Sequence, residues 1–457
     1  MSTRIPLSLT FYGGVGSVTG SNFLLTDGAT RLLVDCGLFQ GGKSAEAKNA
    51  EDFPYAPSSI NTLLVTHAHL DHVGRIPKLV KDGFNGTIWS TPATKDLARL
   101  IMNNAAGLME SGERMEDMPA LYVRGDVERA LSLWKTIPYH EEVSVGGEFE
   151  VSFKDAGHIL GSAIIEVRHR GGVSVAFSGD LGNSPSPLLK DTETVSDVDY
   201  MLVESVYGDR NHESVEERTE MLEDVIESTV ARNGTLLIPA FSIERTQVLL
   251  FEINNLVEGG KIPNIPIFLD SPLAIDVTDV YQEYSEKFNA ETQKQITAGD
   301  NIFEFKGLKM TASSAESRAI EKHDGAKVII AGSGMSVGGR ILNHEKRYLP
   351  DPKNSILFVG YQSAGSVGRQ ILDGAREVMI DDVVVPVRAR IASVLGYSAH
   401  KDMDGLMGFV EAAAPRLKEV FVVMGEPKSS LFLTQRIRDY IGVEARAPEA
   451  GQTVVLK

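Results

Sequence analysis

Apolar and polar positions alternate along this chain with two different rhythms. Residues 7–11, 21–26, 31–34 and 63–66 form short apolar runs rich in β-branched and aromatic side chains, bounded by turn residues, and each predicts a strand. Leu97, Ile101, Ala105 and Leu108 recur at helical spacing and predict one buried face of an amphipathic helix. Further strands are predicted over 148–153, 163–167, 173–178 and 200–203. Beyond Gly208 strands and helices alternate. A helix carries Leu222, Val225 and Ile226 and stops at Asn233-Gly234. Strands follow over 235–239, 265–269, 327–331 and 356–359, with helices over 244–257 and 340–348 between them. That alternation implies a parallel sheet with right-handed crossovers. Residues 420–424 and 431–440 return as strand and helix. The glycine cluster from Gly13 to Gly20 follows a strand, but the next segment reads as strand and not helix. A hairpin-like turn is therefore expected there, and not a dinucleotide-binding loop.

Length and composition narrow the classes. The 457 residues suggest about three domain-sized units. No apolar run reaches about 18 residues, so no membrane-spanning helix is expected. Met1 to Pro6 lack the apolar core of a secretory leader. The single cysteine, Cys36, cannot form an intrachain disulfide and fits a reducing cytosol, so a cytoplasmic protein is expected. The net charge of 45 − 62 = −17 argues against binding nucleic acid over a whole face, and leaves room for a local basic groove.

The candidate chemistry begins at His67-x-His69-x-Asp71-His72, which packs four donor residues into six positions at a strand end. Neutral imidazoles and a carboxylate suit a first-row transition metal. On an extended segment His67 and His69 point the same way, while the turn sends Asp71 and His72 elsewhere, so one loop can feed two adjacent metal positions. The bland reading is a polar turn with incidental histidines. His158, in Gly157-His158-Ile159-Leu160-Gly161, and Asp180, in Gly179-Asp180-Leu181-Gly182, also sit in loops beside strands, where the glycines allow close backbone approach. Alone, each is an ordinary satisfied polar residue; together with the first cluster they complete a site. His140, His169, His212, His323 and His344 lack companions at ligand spacing and read as surface or structural residues.

With those residues in place, the chain resembles the metallo-β-lactamase fold, and over nearly its whole length the β-CASP branch of nucleic-acid nucleases. Further segments carry the resemblance: Asp35 at an early strand end, Glu204-Ser205-Val206-Tyr207-Gly208 (with valine where threonine is usual), and Pro239 to Arg245. So do Asp270-Ser271-Pro272, Ser333-Gly334-Met335 with Gly338-Gly339-Arg340, Gly360-Tyr361-Gln362 with Gly368-Arg369, and Tyr397-Ser398-Ala399-His400. The resemblance implies an α/β protein: an αββα sandwich with an inserted β-CASP domain built on a parallel sheet. The boundaries read as 1–210 for the first part of the sandwich domain, 211–390 for the insertion and 391–457 for the C-terminal part, an RNA-specificity segment. It implies that His67, His69 and His158 hold one zinc, that Asp180 bridges to a second, and that Asp71 and His72 hold the second. Asp35 would orient a ligand histidine. Metal-activated hydroxide would attack a phosphodiester, with His400, paired to Glu204, as general acid. Ser333, Arg340 and Arg369 are candidate contacts to substrate phosphates, with a surface salt bridge as the rival reading for the arginines.

One position departs from the family pattern. Its last marker places a ligand histidine before Gly-Glu; here the segment reads Val423-Met424-Gly425-Glu426. A thioether is a poor zinc ligand beside carboxylates. The expectation is one firmly held Zn2+ and a second site that is weak or exchangeable, with Mn2+ as an alternative ion. The implied activity is hydrolysis of single-stranded RNA, as an endonuclease with or without 5′-to-3′ exonuclease action. A small-molecule ester or thioester hydrolase, a DNA nuclease and an attenuated RNA-binding homologue are the alternatives. No membrane partner is expected, and a homodimer is left open.

Overall fold

A computed structural model describes residues 6–40, 43–111, 120–363 and 365–457. The opening residues read for a leader, up to Ile5, lie outside these. The chain divides into two compact units. One comprises Met1–Ser186, Asp191–Asn211 and His400–Lys457; the other comprises Pro187–Lys190 and His212–Ala399.

The first unit holds two seven-stranded sheets. One runs in the order Thr453–Val455, Ser8–Gly13, Asn22–Thr26, Arg31–Val34, Thr62–Leu64, Thr87–Ser90, Trp134–Thr136. The other runs Ala445–Arg446, Glu419–Val422, Tyr200–Val203, Ser174–Phe177, Ala163–His169, Phe149–Asp155, Glu142–Val145. Successive strand residues face opposite ways, and both faces are used. Val175, Phe177, Tyr200 and Leu202 join Phe11, Phe23, Phe153 and Phe421 in the core between the sheets. Their neighbours Ala176, Met201 and Val203 join a second core under the outer helices. There the helix Met403–Ala413 contributes Leu406, Phe409, Val410 and Ala413, a helical stripe laid on a strand alternation. Burial on both faces is why these strands are continuous apolar runs. The result is the αββα sandwich. Truncating a core ring such as Phe177 to alanine would cost about 3–5 kcal/mol.

The helix Pro92–Glu110 buries Leu97, Ala98, Met102, Ala105 and Ala106, so its apolar stripe is turned from the predicted one and Ile101 and Leu108 are only half-buried. The predicted strand over 420–424 ends at Val422.

The second unit carries a six-stranded sheet in the order Leu308–Met310, Ile267–Asp270, Lys327–Ala331, Thr235–Pro239, Ser355–Phe358, Arg390–Ser393, every pairing parallel. Arg390–Ser393 pairs with Ser355–Phe358, so residues 391–399, read from the sequence with the C-terminal part, belong to this unit. Helix Ile341–Tyr348 covers the sheet through Ile341 and Tyr348. It also buries Glu345, whose Oε1 accepts from the Ser336 hydroxyl at 2.5 Å while Oε2 has no partner among the described residues.

Burial pushes the Glu345 carboxyl up to about 7 from the usual 4.5. The folded state therefore keeps a proton that the unfolded chain gives up. The group's contribution is fully present below about pH 4.5 and is lost as the pH rises to about 7. Glu345→Gln is expected to raise unfolding stability at pH 8 relative to the parent, by up to about 3 kcal/mol, and to change it little at pH 4. Denaturant unfolding of the two proteins at both pH values checks this.

Candidate metal centre

The donor residues converge at strand ends of the first unit. After Thr62–Leu64 the chain leaves the sheet and delivers His67 and His69; Leu70–Val73 is one short helical turn carrying Asp71 and His72. Backbone bonds clamp that turn: Ser21 N, Cys36 N and Leu38 N donate to the carbonyls of Asp71, His72 and Leu70 at 2.8–3.0 Å. His158 lies in the loop between Phe149–Asp155 and Ala163–His169, where its amide donates to Ser162 Oγ at 3.0 Å. Asp180 follows Ser174–Phe177. Gly179 before it has φ 56°, and a side chain there would strike Thr66.

Four donor atoms form one cluster. His67 Nε2 and His158 Nε2 stand 3.1 and 3.2 Å from His69 Nδ1, and 3.5 and 3.6 Å from Asp180 Oδ2. A tetrahedral ion with bonds of about 2.0–2.1 Å needs its ligand atoms about 3.3 Å apart. The donor set and spacing therefore fit a first-row divalent cation. The other oxygen, Asp180 Oδ1, lies 3.4 Å from His72 Nε2, and both atoms are buried without a hydrogen-bond partner among the described residues. Asp71 Oδ2 is 3.9 Å from the same ring nitrogen. Two adjacent donor groups thus share Asp180.

Asp35 fixes the second group from behind. It ends strand Arg31–Val34 with φ 58°, a left-handed conformation that a non-glycine residue holds only when its surroundings enforce it. Its carboxylate receives Ser21 Oγ (3.1 Å), Thr66 N and Thr66 Oγ1 (both 2.8 Å), and faces His72 Nδ1 at 2.7 Å. Thr66 Oγ1 also lies 3.1 Å from His67 Nδ1, so one hydroxyl ties both rings to Asp35. The sequence reading missed Thr66; its place immediately before His67 was the available signal.

Glu204, fully buried, accepts from Leu181 N at 2.6 Å and meets His400 Nδ1 at 3.1 and 3.2 Å. His400 Nδ1 is also 3.9 Å from Asp180 Oδ2. Charges sort accordingly. Burial pushes His67 down, helped by His72. Burial also acts against charge on Asp180, but the His72 and His67 rings outweigh it and hold the carboxyl well below the usual range. The reverse balance holds His72 well above its usual value, through Asp180, Asp35 and Asp71. At His400, burial is outweighed by Glu204 and then Asp180, which lift the ring to about 9.

Met424 does not extend the cluster. It has φ 48°, its amide donates to Gly14 O at 2.6 Å, and it packs in the apolar core between the sheets, its sulfur against Gly14. With Asp35, Thr66, His72 and Ser178 it lines a small cavity behind His72.

The phosphate candidates lie in the second unit. Ser333 Oγ accepts from Val337 N at 3.0 Å. Arg340 donates to Asp270 Oδ1, Thr311 O and Ala312 O at 2.7–2.9 Å, the salt bridge of the rival reading. Arg369 pairs with Asp373 at 2.9 Å, the salt bridge of the rival reading. His344 is held by the same Asp270, at 2.7 Å.

Asp35→Asn keeps the shape but removes the charge behind His72. It is expected to weaken divalent-metal affinity by roughly 10–100-fold, measured by competition with a chromophoric chelator.

Three family models match the chain in succession: the metallo-beta-lactamase superfamily over residues 15–232, the Beta-Casp domain over 246–371, and the Zn-dependent metallo-hydrolase RNA specificity domain over 384–448. The chain is 36% identical to Ribonuclease TTHA0252 of Thermus thermophilus over 92% of its own length and 94% of that protein. It is 31% identical to Transcription termination factor FttA of Pyrococcus horikoshii, covering 99% of this chain and 71% of that one. A crystal structure of a protein of unknown function from Enterococcus faecalis shares the fold, with a TM-score of 0.56 at 12% identity over 99% of this chain and 100% of that one. The donor cluster at the strand ends, the parallel-sheet second unit and these matches together assign the chain to the β-CASP branch of the metallo-β-lactamase superfamily of metal-dependent hydrolases.

Proposed function

We propose that this chain is a metal-dependent ribonuclease that hydrolyses phosphodiester bonds of single-stranded RNA. The observation that carries the reading is the buried His/Asp cluster standing directly beside the Glu204–His400 pair. The RNA preference is supported by the match to an RNA specificity domain and by a relative named as a ribonuclease.

His67, His69, His158 and Asp180 would hold the first divalent ion, Zn2+ or Mn2+, and Asp71, His72 and Asp180 the second. When bound, such ions supply Lewis acidity and an acidified water at neutral pH. The remaining work falls to the chain. Glu204 takes up His400 Nδ1, which assigns Nε2 to the proton that goes to the leaving oxygen. Glu204, buried beside the ring, favours its protonated form. Asp35 and Thr66 keep the His72 and His67 rings from turning. With Met424 in the apolar core, the second ion lacks one donor and is held more weakly than the first.

The direct test incubates the protein with end-labelled single-stranded RNA, matched DNA and a thioester, with and without added zinc or manganese. RNA cleavage that disappears in Asp180→Asn, and falls on the order of 10²–10⁴-fold in His400→Ala, is the expected result. Thioester turnover without RNA cleavage contradicts the proposal, and preferential DNA cleavage corrects its substrate. The label pattern separates endonuclease from 5′-to-3′ exonuclease action. Metal counting after exhaustive dialysis should find one ion per chain, and Met424→His should raise the count. Two retained ions in the parent contradict the weak second site.

A further inference from the structure

The residue after the proposed acid is a lysine that is only 8% exposed, although the nearest solvent would cost it nothing to reach on an ordinary surface. Its stem runs along the first turn of helix Met403–Ala413 at Gly405, where any side chain would strike the Lys401 Cγ and Cδ. Its ammonium turns back into the site. Nζ donates to Gly182 O at 2.8 Å and to Ser184 Oγ at 3.2 Å, and the Lys401 amide donates to Leu181 O at 2.8 Å. His400 itself forms an antiparallel bridge with Gly182.

Gly182 is the meeting point of three loops. Its amide donates to Ala156 O at 2.8 Å, and a side chain on it would run into the Gly157 carbonyl and the His158 amide. Two residues before it is Asp180, and one residue before it Leu181 donates to Glu204 at 2.6 Å. Thr192 Oγ1 has one proton to share between Ala156 O at 2.9 Å and Gly182 O at 3.2 Å, so the ammonium is the principal donor to Gly182 O. A charged donor makes the stronger bond. Lys401 therefore ties the His400 segment to the loop that carries Asp180 and orients Glu204.

We infer that Lys401 is a positioning residue for the general acid, holding the His400 ring at its place beside Glu204 and Asp180. The inference rests on the reading of His400 as the acid. Without the ammonium only the backbone bridge to Leu181 and Gly182 holds the segment, and the imidazole is held less closely to the leaving oxygen, while the donors at His67, His69 and His158 stay in place. The defect is then specific to leaving groups that need a proton.

The test compares Lys401→Met, which keeps most of the stem and removes the donor, with Lys401→Arg, which restores one. Two substrates are used: single-stranded RNA, whose leaving oxygen needs protonation, and bis(4-nitrophenyl) phosphate, whose leaving group does not. Lys401→Met should lose about 30–100-fold in kcat on RNA with KM within about twofold, and only about threefold on the nitrophenyl diester. Lys401→Arg should recover at least about tenfold of the RNA loss. Retained metal per chain and the unfolding midpoint are measured on each variant. Equal losses on both substrates, or none on RNA, overturn the inference. A parent active on the nitrophenyl diester but inert toward RNA defeats the ribonuclease reading alone; Lys401 is then judged on aryl diesters of rising leaving-group pKa, where the variant's loss should grow. A parent inert toward every diester overturns both.

Discussion

The site is organised by one carboxylate. Asp180, 3% exposed, stands 3.4–3.9 Å from ring nitrogens of His67, His72, His158 and His400. A buried carboxylate is costly unless compensated by positive charge or hydrogen bonds. Here the compensation is a shell of imidazoles brought in from three stretches of chain, around 67–72, 158 and 400. The first two leave strand ends of the two stacked sheets, which act as a rigid platform with the chemistry on their edge. A proton on His72 and a bound cation both answer the same electrostatic demand, which is why metal binding here should release protons.

The backbone is bent to meet that demand. Asp35 and Met424 both adopt left-handed conformations at strand ends, and both lie behind His72. Asp35 uses its position to collect Ser21, Thr66 and His72. Met424, just after Glu419–Val422 of the other sheet, turns an apolar side chain into the core. On the proposed reading, that contrast leaves the second donor group one donor short of the first.

What the sequence showed and what it hid follow from the range of the interactions. His67, His69, Asp71 and His72 were legible because a single loop carries them, and a strand end followed by a turn already separates two directions. His158 and Asp180 were legible through the glycines that flank them. The ion pair of Arg340 was not legible because its partner Asp270 lies 70 positions away, and nothing local tells an available guanidinium from a paired one. Lys401 was passed over for the same reason: Gly182 is 219 positions distant. The hairpin Glu377–Ile380 and Val383–Pro386 escaped because it buries only Val378, Ile380 and Val385, too short an alternation to stand out. The helix Pro92–Glu110 was placed but its buried face was not, since alanines pack as well as the larger residues that the pattern counts.

The central claim is that the firmly held ion is bound by imidazole and carboxylate alone, with Asp180 as the shared oxygen donor and Met424 outside the shell. X-ray absorption at the zinc edge, on protein loaded with one equivalent, tests it most directly. The account predicts a nitrogen and oxygen shell with about three imidazole ligands, no sulfur at about 2.3 Å, and a spectrum altered by Asp180→Asn but not by Met424→Leu. A sulfur contribution, or a spectrum that ignores Asp180→Asn, would contradict it.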